Sequence, residues 1–162
     1  MAIKKAAVIG GGAMGGSIAH VLTLVGIECF VKDIDIKFVE KAITLSKGVY
    51  DKLVKKGKLK QEKADTLQGL LKGGIEYDAA FMSDVDLVIE AVPEVLKLKK
   101  SIFAELERIC PEKTILATNT STLCLTEMSI DLGRKDRFIG LHFFNPAHVM
   151  NLVEVIYNKN TS

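Results

Sequence analysis

Residues 6–21 read AAVIGGGAMGGSIAHV, and this stretch predicts the start of a nucleotide-binding fold. A short apolar run at residues 7–9 is followed by Gly10, Gly12 and Gly15 at G-x-G-x-x-G spacing. Beyond the glycines, apolar residues recur at helical intervals: Ile18, Ala19, Leu22 and Val25. The pattern therefore predicts a strand, a glycine turn and the first turns of a helix.

Each glycine of this motif has a distinct physical role. Gly10 permits the tight turn out of the strand, Gly12 has no Cβ to keep a pyrophosphate from the backbone, and Gly15 lets the helix lie close to the sheet. The free N–H groups and the positive dipole at the helix N-terminus then bind an anion. The spacing alone is a weak signal, because a glycine-rich segment can also be only a turn.

Asp33 supports the dinucleotide interpretation. It follows the next apolar run, residues 27–31, and lies 18 residues beyond Gly15, where such folds carry an acidic residue. A carboxylate there accepts hydrogen bonds from the adenosine ribose and repels a 2′-phosphate, so NAD is favoured over NADP. Lys32 and Lys37 nearby leave the NADP alternative open.

Length and composition predict one globular domain without nucleic-acid or membrane partners. The chain has 162 residues, of which 48% are hydrophobic and 26% charged, and its formal net charge is only +2. Lys4 and Lys5 before an apolar stretch imitate a secretory signal, but five glycines within residues 10–16 argue against it.

Cysteine usage indicates a reducing compartment. Cys29, Cys110 and Cys124 lie far apart in apolar or small-residue surroundings and form no C-x-x-C pair. We expect three reduced core thiols, no metal site and a cytoplasmic location.

Residues 37–72 predict a helical hairpin inserted after the second strand. An amphipathic helix runs to about residue 56, Gly57 breaks it, and a second helix is predicted over residues 61–71. This segment holds ten lysines against four acidic residues, a local net charge of +6. It is either a solvated surface or an arm that binds an anion, and a multiply phosphorylated small molecule suits it better than a nucleic acid.

The rest of the chain alternates strand and helix, which predicts a Rossmann-like, doubly wound α/β fold with a mostly parallel sheet. Strands are expected at residues 86–91, 114–118, 138–142 and 152–156, and a helix at residues 96–109. Glu90 and Glu94 are expected in a crossover loop at the carboxyl edge of the sheet. The polar segment TNTST at residues 118–122 is either a capping turn or part of a ligand site at the same edge.

Two polar residues near the end of the chain form a candidate catalytic pair. Glu154 alternates with Leu152 and Ile156, and a carboxylate on an apolar strand face is costly without a partner. His142, at the end of the preceding strand, is the expected partner. A histidine beside two phenylalanines is often structural, but pairing with an acid favours general-base chemistry.

Four motifs together resemble the NAD-binding domain of the L-3-hydroxyacyl-CoA dehydrogenase family over essentially the whole chain. They are VIGGGAMGGSIA, DLVIEAVPE with Lys99 following, ATNTST, and GLHFFNPAHVMNLVEVI. The resemblance implies that His142 takes the hydroxyl proton of the substrate and that Glu154 orients His142. It also implies that Asn119 and Ser121 lie near the nicotinamide and the reacting oxygen.

The resemblance further implies a set of ligand contacts. The residues implied to contact NAD are Gly10, Gly12, Ala13, Met14, Gly15, Asp33, Glu94, Lys99, Asn119 and Asn145. Coenzyme A is held in this family at the inserted hairpin, where Lys56 matches an implicated lysine, and Ser121 is implied to contact the substrate. Val49 stands where relatives can carry a polar CoA contact.

Relatives of this kind continue into a helical domain, whereas this chain stops at Ser162. The resemblance implies that the further domain completes the acyl pocket and forms a homodimer interface. We therefore expect the 162-residue chain to be incomplete for turnover. The alternative function is a non-catalytic nucleotide-binding or crystallin-like structural module.

Overall fold

A computed structural model describes residues 2–162 as one seven-stranded sheet flanked by helices. The strands are β1 (Lys5–Ile9), β2 (Glu28–Lys32), β3 (Leu71–Gly74), β4 (Leu87–Glu90), β5 (Ile115–Thr118), β6 (Phe138–Phe143) and β7 (Val153–Ile156). The helices are α1 (Ala13–Leu24), α2 (Ile36–Lys55), α3 (Gln61–Gln68), α4 (Ala79–Met82), α5 (Leu96–Ile109) and α6 (Leu125–Ser129), with a 3₁₀ turn at Lys135–Arg137.

The strand order is β3-β2-β1-β4-β5-β6-β7, which confirms the predicted α/β class. Strands β1 to β6 pair in parallel, and β7 pairs with β6 antiparallel. Successive strands are added toward one edge of the sheet from β1 to β3 and toward the other edge from β4 to β7, so the strand order reverses between β1 and β4. Ligands of such sheets bind at the carboxyl ends of the strands beside this reversal.

The core forms one layer on each face of the sheet because side chains alternate along the buried strands. On β1, Ala6 and Val8 face the layer that contains Ile18 of α1. Ala7 and Ile9 face the opposite layer, which contains Phe103 and other residues of α5. The central strand is thus buried on both faces, and this rigid strand leads directly into the glycine loop.

The helices between β2 and β3 pack on α1. Asp35 caps α2 by accepting the Lys37 N–H, and Gly16 of α1 allows close approach, since a Cβ there would lie 3.0 Å from the Ala42 Cα. Gly57 ends the helical region with a φ of +66°, as its place in the sequence predicts. Tyr50, Ala64 and Leu67 form a small separate core within the hairpin.

The predicted end of the second hairpin helix is wrong. The helix was expected over residues 61–71, but α3 ends at Gln68 and Leu71 begins β3, paired with Cys29 of β2. A buried leucine fits a helical period and the start of a short strand equally well. Gly73 decides for the strand, because its backbone lies so close to β2 that a Cβ would sit 2.6 Å from the Val31 carbonyl oxygen.

The helix predicted at residues 96–109 is confirmed as α5, and the other predicted strands are found within one or two residues. Cys124 is a second correction. Cys29 and Cys110 are buried as expected, whereas Cys124 is exposed just before α6, because the loop after β5 lies at the surface of the sheet edge. Within residues 2–162, no helix combines the length and the apolar character needed to cross a membrane.

Candidate active site

The glycine loop between β1 and α1 has the shape that a pyrophosphate requires. Gly10 has a φ of +103°, and a Cβ on Gly15 would lie 1.7 Å from the Gly10 carbonyl oxygen, so neither position accepts another residue without rearrangement. A Cβ built on Gly12 meets nothing within 4 Å, so the loop opens to space at that position. Among the described residues, no side chain caps α1 and no acid lies in its first turn, which leaves its N–H groups free for an anion.

Asp33 connects this loop to the end of β2. Its Oδ2 accepts the Gly11 N–H at 2.7 Å, and its Oδ1 accepts the Ile34 N–H at 2.7 Å. Oδ1 also accepts the Asp35 N–H at 3.4 Å, whereas Oδ2 keeps a further lone pair, so Asp33 can accept from a ribose hydroxyl while it holds the loop. The glycine loop and Asp33 thus fit the adenosine diphosphate part of a dinucleotide.

Beside the loop, a pocket of about 380 Å³ opens at the carboxyl ends of β4, β5 and β6. It brings together seven of the fourteen candidate site residues named from the sequence, and Glu154, Asp33, Lys56 and the other glycine-loop residues lie outside its lining. Its lining comprises Met14, Ala91, Val92, Glu94, Lys99, Asn119, Ser121, His142, Phe143, Phe144 and Asn145.

His142 and Glu154 form a hydrogen-bonded pair at the edge of this pocket. They are register partners across β6 and β7, and the His142 Nδ1 lies 2.8 Å from the Glu154 Oε2. The argument from burial was wrong, however, because every residue of β7 is exposed and the Glu154 side chain is 53% exposed. Strand register, rather than the cost of a buried carboxylate, brings the pair together.

This contact determines which histidine nitrogen is free. A neutral imidazole that contacts a carboxylate through Nδ1 donates the Nδ1–H, so Nε2 carries the lone pair. The His142 side chain is 18% exposed, and its ring packs against Phe144 with centroids 4.6 Å apart. His142 is therefore oriented to accept a proton at Nε2.

Asn119 follows β5 directly and lines the same pocket as His142. Its Oδ1 accepts the Phe143 N–H at 2.9 Å, and its own N–H donates to the Glu90 carbonyl oxygen at 2.8 Å. The side-chain amide group of Asn119 therefore keeps its two donors for a ligand. Ser121 is exposed in the loop that follows.

Glu90 is not in the crossover loop as expected, but is the last residue of β4 and is fully buried. Its Oε1 accepts the Lys99 ammonium at 2.6 Å and the Val92 N–H at 2.7 Å, and its Oε2 accepts the Thr118 hydroxyl at 2.7 Å. The Lys99 ammonium and the two further donors compensate the burial of this carboxylate. The sequence contained no local signal for these partners.

Lys99 is also buried, with 1% of its surface exposed. Besides Glu90, its ammonium donates to the Val92 carbonyl oxygen at 3.2 Å and lies 3.2 Å from the Glu94 Oε2. Its three ammonium protons thus face three protein oxygens. Lys99 acts here by fixing Glu90 and Glu94, although its side chain also lines the pocket.

Thr120 and Thr122 hold the other side of Glu94. Both hydroxyls donate to the Glu94 Oε1, the Thr122 contact measuring 3.1 Å. Sequence analysis identified the polar run but not these individual roles. The polar run itself was the available signal, because hydroxyl side chains that follow a strand can bond to polar groups at the carboxyl edge of the sheet.

Lys56 does not lie at the pocket. It is exposed at the C-terminal end of α2, about 30 Å along that helix from the glycine loop, at a rise of 1.5 Å per residue. Val49 is half-buried on the same helix.

Comparison with known proteins places this geometry in a family. The family model described as "3-hydroxyacyl-CoA dehydrogenase, NAD binding domain" matches residues 5–162. A glyoxysomal fatty acid beta-oxidation multifunctional protein of Brassica napus is 46% identical over 99% of this chain. The alpha subunit of a fatty acid oxidation complex from Idiomarina loihiensis is 39% identical over the same share. The chain spans 22% of the length of these curated relatives.

Solved structures agree. A 3-hydroxybutyryl-CoA dehydrogenase from Escherichia coli superposes with a TM-score of 0.94 at 37% identity, over 100% of this chain and 34% of that one. The (S)-3-hydroxybutyryl-CoA dehydrogenase of Ralstonia eutropha gives a TM-score of 0.93 at 37% identity, over 99% of this chain and 56% of that one. Because the match extends over almost every described residue, the chain belongs to the 3-hydroxyacyl-CoA dehydrogenase family and is an NAD-binding domain of it.

Proposed function

We propose that this chain is the cofactor-binding and catalytic part of an enzyme that oxidises L-3-hydroxyacyl-CoA to 3-ketoacyl-CoA, or catalyses the reverse reduction, in fatty acid beta-oxidation. The observation that carries the proposal is the His142–Glu154 pair, whose histidine lines the same pocket as Met14 of the glycine-loop helix. A base and a nicotinamide must meet at the same carbon to oxidise a secondary alcohol, and this pocket supports that arrangement.

Four residues of the site have separate roles in the proposed reaction. His142 accepts the hydroxyl proton at Nε2, while Glu154 holds Nδ1–H and stabilises the imidazolium that forms. The amide of Asn119 and the hydroxyl of Ser121 donate hydrogen bonds to the reacting oxygen. NAD, when bound, supplies the acceptor for the hydride.

Cofactor choice follows from charge. Asp33 places a carboxylate at the end of β2, where it favours the ribose hydroxyls of NAD and opposes the phosphate of NADP. Glu94, held by Lys99 and two threonines, and Asn145 contribute to the nicotinamide side of the pocket.

Coenzyme A is the proposed ligand of the lysine-rich segment at residues 37–72. Its local net charge of +6 suits a molecule with several phosphates, and Lys56 is exposed at the end of α2. An extended ligand is required, because Lys56 lies at the far end of that helix from the glycine loop.

A further helical domain and a homodimer belong to the same proposal. The edge strand β7 exposes apolar side chains beside Glu154, among them Val155 at 63% and Tyr157 just after the strand at 75%. Such a surface next to a pocket suits burial by another domain. The two buried free thiols, Cys29 and Cys110, suit a reducing compartment, and we place the protein in the cytoplasm.

The deciding experiment measures NADH formation from a 3-hydroxyacyl-CoA by the longest natural protein that contains this chain. We expect turnover that His142→Gln lowers by about 10²- to 10⁴-fold, the usual contribution of a general base. NADH affinity should remain within about twofold, because the glycine loop and Asp33 are unchanged. NADH binding without turnover by the unaltered protein would instead support the non-catalytic module.

A further inference from the structure

A loop of nine residues, 144–152, connects the two strands of the catalytic pair. It begins directly after β6, which carries His142, and leads into β7, which carries Glu154. Asn145 of this loop lines the pocket, and Ala147 is buried in the same apolar cluster as Ile18 of α1. The conformation of the loop therefore affects both the pocket and the pairing of the two strands.

His148 attaches this loop to α1 through two hydrogen bonds to one atom. The Ser17 Oγ accepts the His148 backbone N–H at 3.1 Å, and the same oxygen lies 2.8 Å from the His148 Nδ1. Ser17 is 1% exposed and lies one turn into the helix that begins at the glycine loop. With the backbone N–H directed at its oxygen, the Ser17 hydroxyl is free to donate its proton to Nδ1.

The surroundings of His148 keep this attachment in one arrangement. The buried ring of His20, on the next turn of α1, meets the His148 ring edge-to-face with centroids 6.1 Å apart. His20 is itself held by Ser46 of α2, whose Oγ lies 3.1 Å from the His20 Nδ1. The loop thus rests on a fixed polar surface formed by two helices.

We propose that His148 is a positioning residue of the active site. Through Ser17 it fixes the loop at residues 144–152 against the glycine-loop helix, and so fixes Asn145 and the register that joins His142 to Glu154. This role rests on the proposed dehydrogenase function. It couples the cofactor half of the site to the catalytic half across 131 positions of sequence.

Four variants test this role in the longest natural protein that contains the chain. His148→Ala removes the ring, Ser17→Ala removes both bonds, and His148→Asn keeps an acceptor oxygen near the position of Nδ1. Thr23→Ala is the matched control, because it removes a buried hydroxyl of α1 whose hydrogen bonds go to the His20 carbonyl oxygen and the Tyr50 hydroxyl rather than to the loop. Each variant is measured for kcat, for NADH affinity by fluorescence, and for Tm.

We expect His148→Ala and Ser17→Ala to lower kcat about tenfold or more, since small displacements of reacting groups are costly. NADH affinity should stay within about twofold in both. His148→Asn should recover most of the lost kcat, and the double variant Ser17→Ala/His148→Ala, measured in addition to the four, should be no worse than Ser17→Ala alone. Thr23→Ala should lower Tm but leave kcat unchanged.

Two results would overturn the positioning role: wild-type kcat in both His148→Ala and Ser17→Ala, or an equal loss of kcat in Thr23→Ala. The second result would mean that the cluster acts only through general stability. Absence of turnover in the unaltered protein would instead refute the proposed function itself. The two failures are therefore distinguishable.

Discussion

At the scale of single residues, Asp33 has a structural role in addition to the ribose-binding role predicted from the sequence. It lies where a ribose-binding acid is expected, and it also accepts the Gly11 N–H of the glycine loop. The same carboxylate therefore holds the glycine loop, and under the proposed function it also selects the cofactor.

Asp33→Ala should weaken NADH binding by about 1 to 3 kcal/mol, the range for hydrogen bonds to a charged group. The measurement is a fluorescence titration of the 162-residue chain with NADH and NADPH. Asp35→Ala is the control, because Asp35 caps α2 two positions away and its loss should lower stability without changing NADH affinity. Equal affinity of the unaltered chain for both nucleotides would contradict the cofactor assignment.

His20 predicts a pH dependence of stability. Burial, with a smaller contribution from the neighbouring His148, lowers the pKa of His20 from 6.5 to about 4. The unfolded chain therefore binds the proton more readily than the folded chain between these two values. The folded state is most favoured above pH 6.5 and loses about 3 kcal/mol of stability as the pH falls through 4.

Urea unfolding at a series of pH values measures this dependence. His20→Gln should flatten the part of the curve between pH 6.5 and 4, because glutamine does not titrate. An unaltered slope in His20→Gln would assign the acid sensitivity to other groups.

At the scale of elements, the buried Glu90–Lys99 pair joins β4, β5 and α5. Its contacts to Thr118 and Val92 tie the carboxyl ends of two strands to the start of the helix that follows. Removing one partner leaves an uncompensated buried charge. The resulting loss of folding free energy exceeds the net stabilisation that the intact pair provides.

Lys99→Met should therefore lower the free energy of unfolding by about 3 to 5 kcal/mol. The double variant Lys99→Met/Glu90→Gln should recover most of that loss, because no charge remains buried. Chemical denaturation of the three proteins measures both effects. A single variant as stable as the unaltered chain would show that solvent reaches Glu90.

The hairpin formed by α2 and α3 gives a second prediction at this scale. Lys56→Glu should raise the KM for acyl-CoA at low salt, and the effect should shrink as salt is added. Arg108→Glu is the control, because it makes the same charge reversal on α5, which packs against the opposite face of the sheet. Unchanged KM in Lys56→Glu would leave Lys56 as a solubilising surface charge.

At the scale of the whole molecule, a core layer covers each face of the sheet, whereas the edge strand β7 is exposed. All four residues of that strand are exposed, including Glu154. The 162-residue chain should bind NADH yet oxidise 3-hydroxyacyl-CoA slowly, because a base is effective only when the substrate is held within its reach. Steady-state turnover of the chain beside the longest natural protein tests this, and equal rates would contradict it.

The sequence by itself determined the α/β class, the glycine loop, α5 and the identity of the two residues, His142 and Glu154, whose side chains pair. These features depend on local patterns: glycine spacing, hydrophobic period and the position of polar residues at strand ends. Tertiary structure alone decided that Leu71 starts β3, that Glu90 is buried against Lys99, that Cys124 is exposed, and that His148 reaches Ser17. Each of these features depends on contacts between segments distant in sequence. The hydrophobic periodicity of one segment does not determine which distant backbone or side chain it will contact.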